Sequence, residues 1–487
     1  MPGTMRGVYT NLTEIRRKVF AGVALIAYEQ GEDSEGDLQR LPYEIVPGEI
    51  ATYRESVFLE RAIVSERIRL AMGLPLQGVD KPQSMTDGII DASVPETYYQ
   101  PPLINVIKFA CNACKDNVYE VSNACQGCLA HPCREICPKG AITFKDKKAY
   151  IDQEKCVHCG LCAKTIHHFE RPCAVACGMG AIGSDEHGHA KIDYEKCVSC
   201  GQCLVNCPFG AIADKSQIFQ VIMAINAGDE VIAEVAPAFV GQFGGKGNVD
   251  KLREAFKQLG FSGMEEVALG ADLCTIQESE DFLEEVPEKI PFMGTSCCPA
   301  WSVMAKKEFP KNADCISMAL TPMTLTARLI RKQHPNAKIV FVGPCSAKKL
   351  EAMRESVRSE VDFVLTFEEM AGMMSAKQID YTKLAGEGGD FDVASADGRG
   401  FAVAGGVATA VANAIHKRYP EREVKVANAE GLEECRKLMK DAVKGKYDGY
   451  LLEGMACPGG CVAGAGTLTA VNKTAAAVKR YAKTSPR

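Results

Sequence analysis

Fifteen of the chain's 23 cysteines fall between residues 104 and 214, and they recur in phrases. Three times a Cys-x-x-Gly-Ala-Ile phrase closes a unit: Cys137 to Ile142, Cys177 to Ile182 and Cys207 to Ile212. The second and third units also open alike, with Ile151-Asp152-Gln153-Glu154-Lys155-Cys156 and Ile192-Asp193-Tyr194-Glu195-Lys196-Cys197. A chain of 487 residues has no need of disulfides to fold. Repeated Cys-x-x-Cys spacing therefore points to metal ligation in a reducing compartment, expected to be the cytoplasm.

The third unit, Cys197-x2-Cys200-x2-Cys203-x3-Cys207-Pro208, has the spacing of bacterial ferredoxins. There three close thiolates wrap one [4Fe–4S] cube and the cysteine before Pro ligates the other cube of a pair. Small residues after that cysteine allow close approach. If the second and third units pair in this way, one cluster takes Cys197, Cys200, Cys203 and Cys177. The other takes Cys156, Cys159, Cys162 and Cys207. The first unit is Cys125-x2-Cys128-x4-Cys133-x3-Cys137, preceded by Cys111-x2-Cys114. With Cys173, seven cysteines remain, enough for one more cluster with three thiols left over. A second extra cluster would need a non-cysteine ligand, for which His158, His167 and His168 are near in sequence. A four-thiolate zinc knuckle from Cys111, Cys114, Cys125 and Cys128 is the alternative reading.

Residues 1 to about 100 carry no cysteine. Ser56 to Met72 places Val57, Ile63, Val64, Ile68 and Met72 at helical spacing, and Pro75 ends the pattern. Arg16-Arg17-Lys18 before the apolar run Ala21 to Ala27 resembles an export signal. The run is short and no small-residue cleavage site follows, so an amphipathic helix is expected. Residues 83–103 read as a linker, and the whole N-terminal segment as a helical cover over an iron–sulfur module. From about residue 218, short apolar runs such as Val231 to Val235 and Ala337 to Val342 alternate with amphipathic segments, which predicts a parallel layered sheet. Net charge is −6 with both signs dispersed, which argues against nucleic acid or an anionic membrane as partner. No apolar run reaches the ~18 residues of a membrane span.

Three C-terminal segments carry the most specific signal. They are Thr295-Ser296-Cys297-Cys298-Pro299-Ala300-Trp301, Gly343-Pro344-Cys345-Ser346-Ala347-Lys348-Lys349 and Glu453-Gly454-Met455-Ala456-Cys457-Pro458-Gly459-Gly460-Cys461. Together they resemble the three signature motifs of the [FeFe] hydrogenases, most closely the group B branch. The resemblance spans about residues 105 to 466. It implies an active-site H-cluster, a [4Fe–4S] cube held by Cys298, Cys345, Cys457 and Cys461. Cys461 would bridge to a diiron unit carrying CO, cyanide and a dithiolate. Lys348 would bind one cyanide, and the backbone of Ala236-Pro237-Ala238 would serve the other. Met455 would pack beside the bridging ligands, and Cys297 would pass protons, a task suited to a thiol with a pKa of about 8.5.

One departure stands out. The family's best-known branch continues the proton path through two glutamates and a serine. Aligned on Gly270-Ala271-Asp272-Leu273 with one extra residue at Cys274, the glutamate positions read Ser279 and Phe282, while Ser317 keeps its spacing from Cys297. Glu278 and Glu280 are the nearby carboxylates that could substitute. Cys274, Cys315 and Cys435 read as small buried apolar residues.

The expected architecture is a helical extension over residues 1–103, an α+β ferredoxin-like part over 104–217 and an α/β H-cluster part over 218–487. The expected activity is reversible H2 oxidation. Electrons would pass through two to four accessory [4Fe–4S] clusters to ferredoxin or a similar carrier, and hydrogenase maturation proteins would supply the cofactor. The alternatives are a low-activity H2 sensor, a hydrogenase partnered for electron bifurcation and an iron–sulfur assembly protein of the same fold. No nucleotide or flavin fingerprint is present.

Overall fold

In the computed structural model the C-terminal half is built on two parallel sheets. The structure describes residues 7–485 apart from 8, 31–34, 79, 81, 93, 95–99, 124, 130, 163–165, 170, 245–247, 355–356, 358 and 387–393. The larger sheet has the order Gly263–Glu266, Val231–Val235, Lys338–Gly343, Phe363–Thr366, every pair parallel. The smaller has the order Met293–Gly294, Tyr450–Met455, Lys425–Glu430, also parallel. Strand Val231–Val235 is buried along its whole length, Glu234 included, as expected of a mostly apolar strand covered on both faces. Each such Val or Ile side chain contributes roughly 1.5–3 kcal/mol by leaving water.

Parallel strands all end on the same side of their sheet. The loops after Val235, Gly343, Gly294 and Met455 thus open toward one crevice, as in other open α/β sheets. These are the loops that carry Ala236, Cys345, Cys297-Cys298 and Cys457.

Residues 104–217 consist of short antiparallel ribbons joined by cysteine loops. Ile104–Val106 pairs with Ile212–Asp214, Val118–Val121 with Ile166–Phe169, Ile142–Lys145 with Lys148–Ile151, and Ile182–Ser184 with Ala190–Ile192. The Cys-x-x-Gly-Ala-Ile phrase has a local cause. The Ala N–H donates to the sulfur of the cysteine four residues earlier, at 3.3 Å in each unit: Ala141 to Cys137, Ala181 to Cys177 and Ala211 to Cys207. The intervening glycines Gly140, Gly180 and Gly210 turn the chain with φ near +60°, and the Ile starts the next strand.

The N-terminal region is helical, with Asn11–Gln30, Glu35–Ile45 and Val57–Ala71. Ser56 caps the last of these, accepting from the Leu59 N–H. The segment after the twin arginines is an amphipathic helix that buries Val19, Phe20, Val23, Ala24 and Ala27. Its position differs from a cover over the iron–sulfur part. It lies on the helices Phe367–Ala376 and Ile218–Asn226, fastened by Arg16 to Glu368 at 2.5 Å and by Asn226 to the Ala27 carbonyl at 2.8 Å. The iron–sulfur loops are met by other residues: Arg67 donates to the Gly210 carbonyl, and Arg54 to those of Ala110 and Phe209, each at 3.1 Å. Of the stretch 83–103 expected to be a linker, residues 93 and 95–99 lie outside the described residues, and Ser84 and Met85 are bound by Arg69 at 3.1 and 2.8 Å. No described helix is long and apolar enough to cross a membrane.

Candidate active site and iron–sulfur sites

All 23 cysteines are free thiols, and the fold sorts most of them into sets around small cavities. Cys177, Cys197, Cys200 and Cys203 surround one, as the spacing predicts. A second is lined by Cys111, Cys114, Cys173 and Cys207, and a third by Cys137, Cys156, Cys159 and Cys162. The last two correct the sequence-based pairing. Cys207 does not join Cys156, Cys159 and Cys162; Cys137 does. Cys111 and Cys114 do not join Cys125 and Cys128 in a zinc knuckle; they close with Cys173 and Cys207.

The reason is topological. Residues 115–170 are inserted between Cys114 and Cys173, so the region is one two-cluster unit nested inside the first loop of another. Reading the cysteines in chain order as tandem repeats gave the wrong partners because the insertion separates ligands of one set by 59 positions (114 to 173). Among the described residues no three His, Cys, Asp or Glu side chains converge on a single-ion site. Four thiols spread around a cavity suit the corners of a cube better than one tetrahedral zinc. Of the proposed non-cysteine ligands, His158 hydrogen-bonds Asn117 at 3.2 Å and lines the third cavity; the side chains of His167 and His168 lie outside the described residues.

The crevice between the sheets is the largest of these cysteine-lined spaces, with a cavity volume of about 80 Å³. Its walls include Cys298, Cys345, Cys457 and Cys461, together with Cys297, Lys348, Met455 and Ala236-Pro237-Ala238. Ser317 is not part of this wall; it is buried behind it. The cysteines arrive from three different strand ends, which is why distant motifs meet. Burial pushes the thiols of Cys298, Cys345 and Cys461 up, Cys345 to about 12 and Cys461 well above the usual value. Soft metal ions that displace such protons bind in the anionic form the site otherwise disfavours. The Ser346 and Thr295 hydroxyls are buried without a hydrogen-bond partner, outside the residues that line the crevice. Four soft thiols beside one buried ammonium fit an iron–sulfur core with an anionic ligand.

Lys348 is buried and its ammonium is held by Glu351 Oε2 at 2.5 Å and Thr321 Oγ1 at 3.1 Å. Desolvation opposes its charge, but Glu351 outweighs it and the pKa is raised. On the neighbouring strand Glu234 is fully buried and neither carboxyl oxygen has a partner. Burial pushes its pKa far up, so it stays a neutral acid beside the Lys348–Glu351 pair.

Glu278 is the residue the sequence alignment displaced. Helix Val267–Glu285, which carries it, runs through Cys274 without interruption. Glu278, fully buried, accepts from the Ser296 N–H at 2.7 Å and the Ser296 hydroxyl at 2.9 Å. Burial raises its pKa to about 7, against the pull of Ser296 and nearby Ser317. Its charge acts on Cys297, whose thiol burial has already raised well above its usual value. Ser279 instead bonds its own helix at the Thr275 carbonyl, and Phe282 packs in an apolar cluster. Asp281, one turn from Glu278, is half-buried, and Glu280 faces Arg418 at the surface. The helical i, i+3 spacing of Glu278 and Asp281 was the signal available in sequence.

The crevice and the nearest cysteine set are in direct contact. Gln202, between Cys200 and Cys203, donates to Cys457 Sγ at 3.2 Å. Gly201 has φ +73°, and a Cβ there would stand 2.5 Å from that of Ala465. Lys349 joins the two parts from below, its ammonium 3.0 Å from Asp214 and 2.9 Å from Glu369, all three buried. The Cys203 thiol in turn feels Cys173 of the next set. The sets thus form a series leading away from the crevice.

Residues 229–465 match the family described as iron only hydrogenase large subunit, C-terminal domain, and residues 190–213 match the 4Fe-4S binding domain. The NADP-reducing hydrogenase subunit HndD of Solidesulfovibrio fructosivorans is 28% identical over 66% of this chain and 65% of its own length. Iron hydrogenase 1 of Clostridium pasteurianum is 28% identical over 75% of this chain and 73% of its own. A cytosolic Fe-S cluster assembly factor NAR1, from Debaryomyces hansenii, is 32% identical over 26% of each chain. With cysteine sets of ferredoxin type leading to a crevice walled by the three signature motifs, the chain is an iron-only-hydrogenase-like, iron–sulfur-binding protein.

Proposed function

We propose that the chain is an [FeFe] hydrogenase that interconverts H2 with protons and electrons. The observation that carries this reading is the meeting of Cys297, Lys348 and Met455 with Cys298, Cys345, Cys457 and Cys461 in one crevice. An assembly factor needs cluster ligands; it has no use for a further buried thiol and a buried ammonium in the same wall. When bound, an H-cluster supplies the redox-active iron at which H2 is made or cleaved.

The chain's own residues do the rest. Cys298, Cys345, Cys457 and Cys461 would hold the iron–sulfur core of that cofactor. Lys348 presents a fixed positive charge to an anionic ligand, kept in place by Glu351 and Thr321. The backbone of Ala236-Pro237-Ala238 and the Met455 side chain line the same crevice. Cys297 holds a proton at its sulfur, and Glu278 takes it up or returns it with Ser296 and Ser317 holding the carboxyl. A carboxyl with a pKa of about 7 serves both directions near neutrality. Gln202 couples the crevice to the set of Cys177, Cys197, Cys200 and Cys203, which would pass electrons along residues 104–217 to ferredoxin or a similar carrier. The division into 1–103, 104–217 and 218–487 is part of this proposal.

Infrared spectroscopy of protein produced with hydrogenase maturation proteins tests it. CO and cyanide stretching bands, together with H2 evolution from a reduced dye, are expected. A fully iron–sulfur-loaded protein without those bands would leave the assembly reading in its place.

A further inference from the structure

Cys125, Cys128 and Cys133 belong to none of the four-thiol sets. Within the nested arrangement each fourth cysteine stands four positions after a third one: Cys133 to Cys137, Cys173 to Cys177, Cys203 to Cys207. Counting four on from Cys162 reaches Ile166. The set that should mirror Cys137, Cys156, Cys159 and Cys162 therefore has three thiols and an isoleucine at the fourth position. No other cysteine is left for it. Cys274, Cys315 and Cys435 are buried in apolar clusters of the C-terminal half, and Cys297 lines the crevice.

The three-thiol loop is nevertheless built like the complete ones. In the Cys-x-x-Cys turn that opens each cysteine run the residue before the second cysteine is left-handed: Ala113 (φ 45°), Gly127 (φ 59°), His158 (φ 53°) and Ser199 (φ 53°). At Gly127 a Cβ would collide with the Lys147 carbonyl. The third thiol sits in a short helical turn, Cys133 in Pro132–Glu135 as Cys173 in Pro172–Val175 and Cys203 in Gln202–Asn206. Backbone N–H groups of Ala149 and Gly127 donate to the Cys125 sulfur, and Cys125 and Cys128 lie near Cys133. Cys125 and Cys133 pack on the hairpin residues Ile142 and Ala149 that also carry Cys137 and Cys162. Cys128 is exposed, so solutes reach the loop.

We propose that Cys125, Cys128 and Cys133 hold a fourth accessory [4Fe–4S] cluster bound by three thiolates only, which leaves one iron exchangeable. This rests on the iron–sulfur character of residues 104–217 and not on H2 chemistry. Loss of that iron is a balanced step. The [4Fe–4S]2+ core releases Fe2+ and gives one electron to an added oxidant, leaving [3Fe–4S]+ on the same thiolates.

The test uses the full chain, reconstituted anaerobically with iron and sulfide and without the diiron unit, so the fate of the hydrogenase reading does not enter. Mild ferricyanide treatment is expected to produce the electron paramagnetic resonance signal of a [3Fe–4S]+ cluster and to release iron, and ferrous iron with dithionite is expected to reverse both. In Cys125→Ala/Cys128→Ala the signal should vanish and the iron content fall by one cluster. In Ile166→Cys the iron content should stay at the wild-type value while the oxidant-induced signal disappears, a result no folding defect imitates. Absence of the signal from the wild type, or its persistence unchanged in either variant, overturns the proposal.

Discussion

Glu278→Gln separates the two parts played by one buried carboxyl. Glutamine keeps an oxygen for the Ser296 N–H and hydroxyl, so the loop carrying Cys297 should hold its shape. It cannot exchange a proton. If Glu278 hands protons to and from Cys297, H2 turnover should fall by about 10²–10⁴-fold, the usual weight of a positioned acid–base group. The same substitution has a signature in stability. The folded protein keeps the Glu278 proton up to about pH 7, whereas the unfolded chain releases it near 4.5. The stabilising difference is complete below 4.5 and is lost as pH rises to about 7; above that the ionised group destabilises by about 3 kcal/mol. Glutamine does not titrate. The variant should therefore gain on the wild type between pH 4.5 and 7, seen as a widening gap in thermal midpoint measured on matched cluster-loaded samples. Parallel pH profiles would refute the raised pKa, and near-wild-type turnover would refute the relay.

Other substitutions probe separate links. Cys297→Ser should retain full iron and the CO and cyanide bands yet lose most H2 turnover, because a hydroxyl is a far weaker acid than a thiol; an active, fully loaded variant would remove Cys297 from the path. Lys349→Met leaves Asp214 and Glu369 facing each other in a buried site, which should cost about 3–5 kcal/mol and lower the temperature at which the crevice part and the iron–sulfur part lose contact, read by loss of dye-linked activity on heating. Glu234→Gln should change neither turnover nor its pH profile, since the buried acid is already neutral; a shifted profile would mean that Glu234 ionises in the working protein.

Much of this protein was legible in its sequence because the informative groups are tied to short spacings. Cys-x-x-Cys turns and the Gly-Ala-Ile phrase work through backbone geometry within a few residues, so the ligand types and the ribbon after each phrase follow locally. The alternating apolar runs likewise predicted parallel strands, and Ser56 to Met72 a helix. Partner choice among identical thiols is different. Nothing in the spacing of Cys207 says whether it closes on Cys162 or on Cys114, because the energy of one thiolate does not depend on its chain position. Only the ribbons that carry residues 115–170 out of the outer unit decide it. The sequence named Glu278 and Glu280 as possible substitutes but could not choose between them, since two residues along a helix differ in direction by about 200°, which buries Glu278 and leaves Glu280 at the surface. Residue chemistry thus came from the sequence, while the tertiary structure decided which equal donors share a cavity and which face of a helix reaches it, because those are set by packing between elements far apart along the chain.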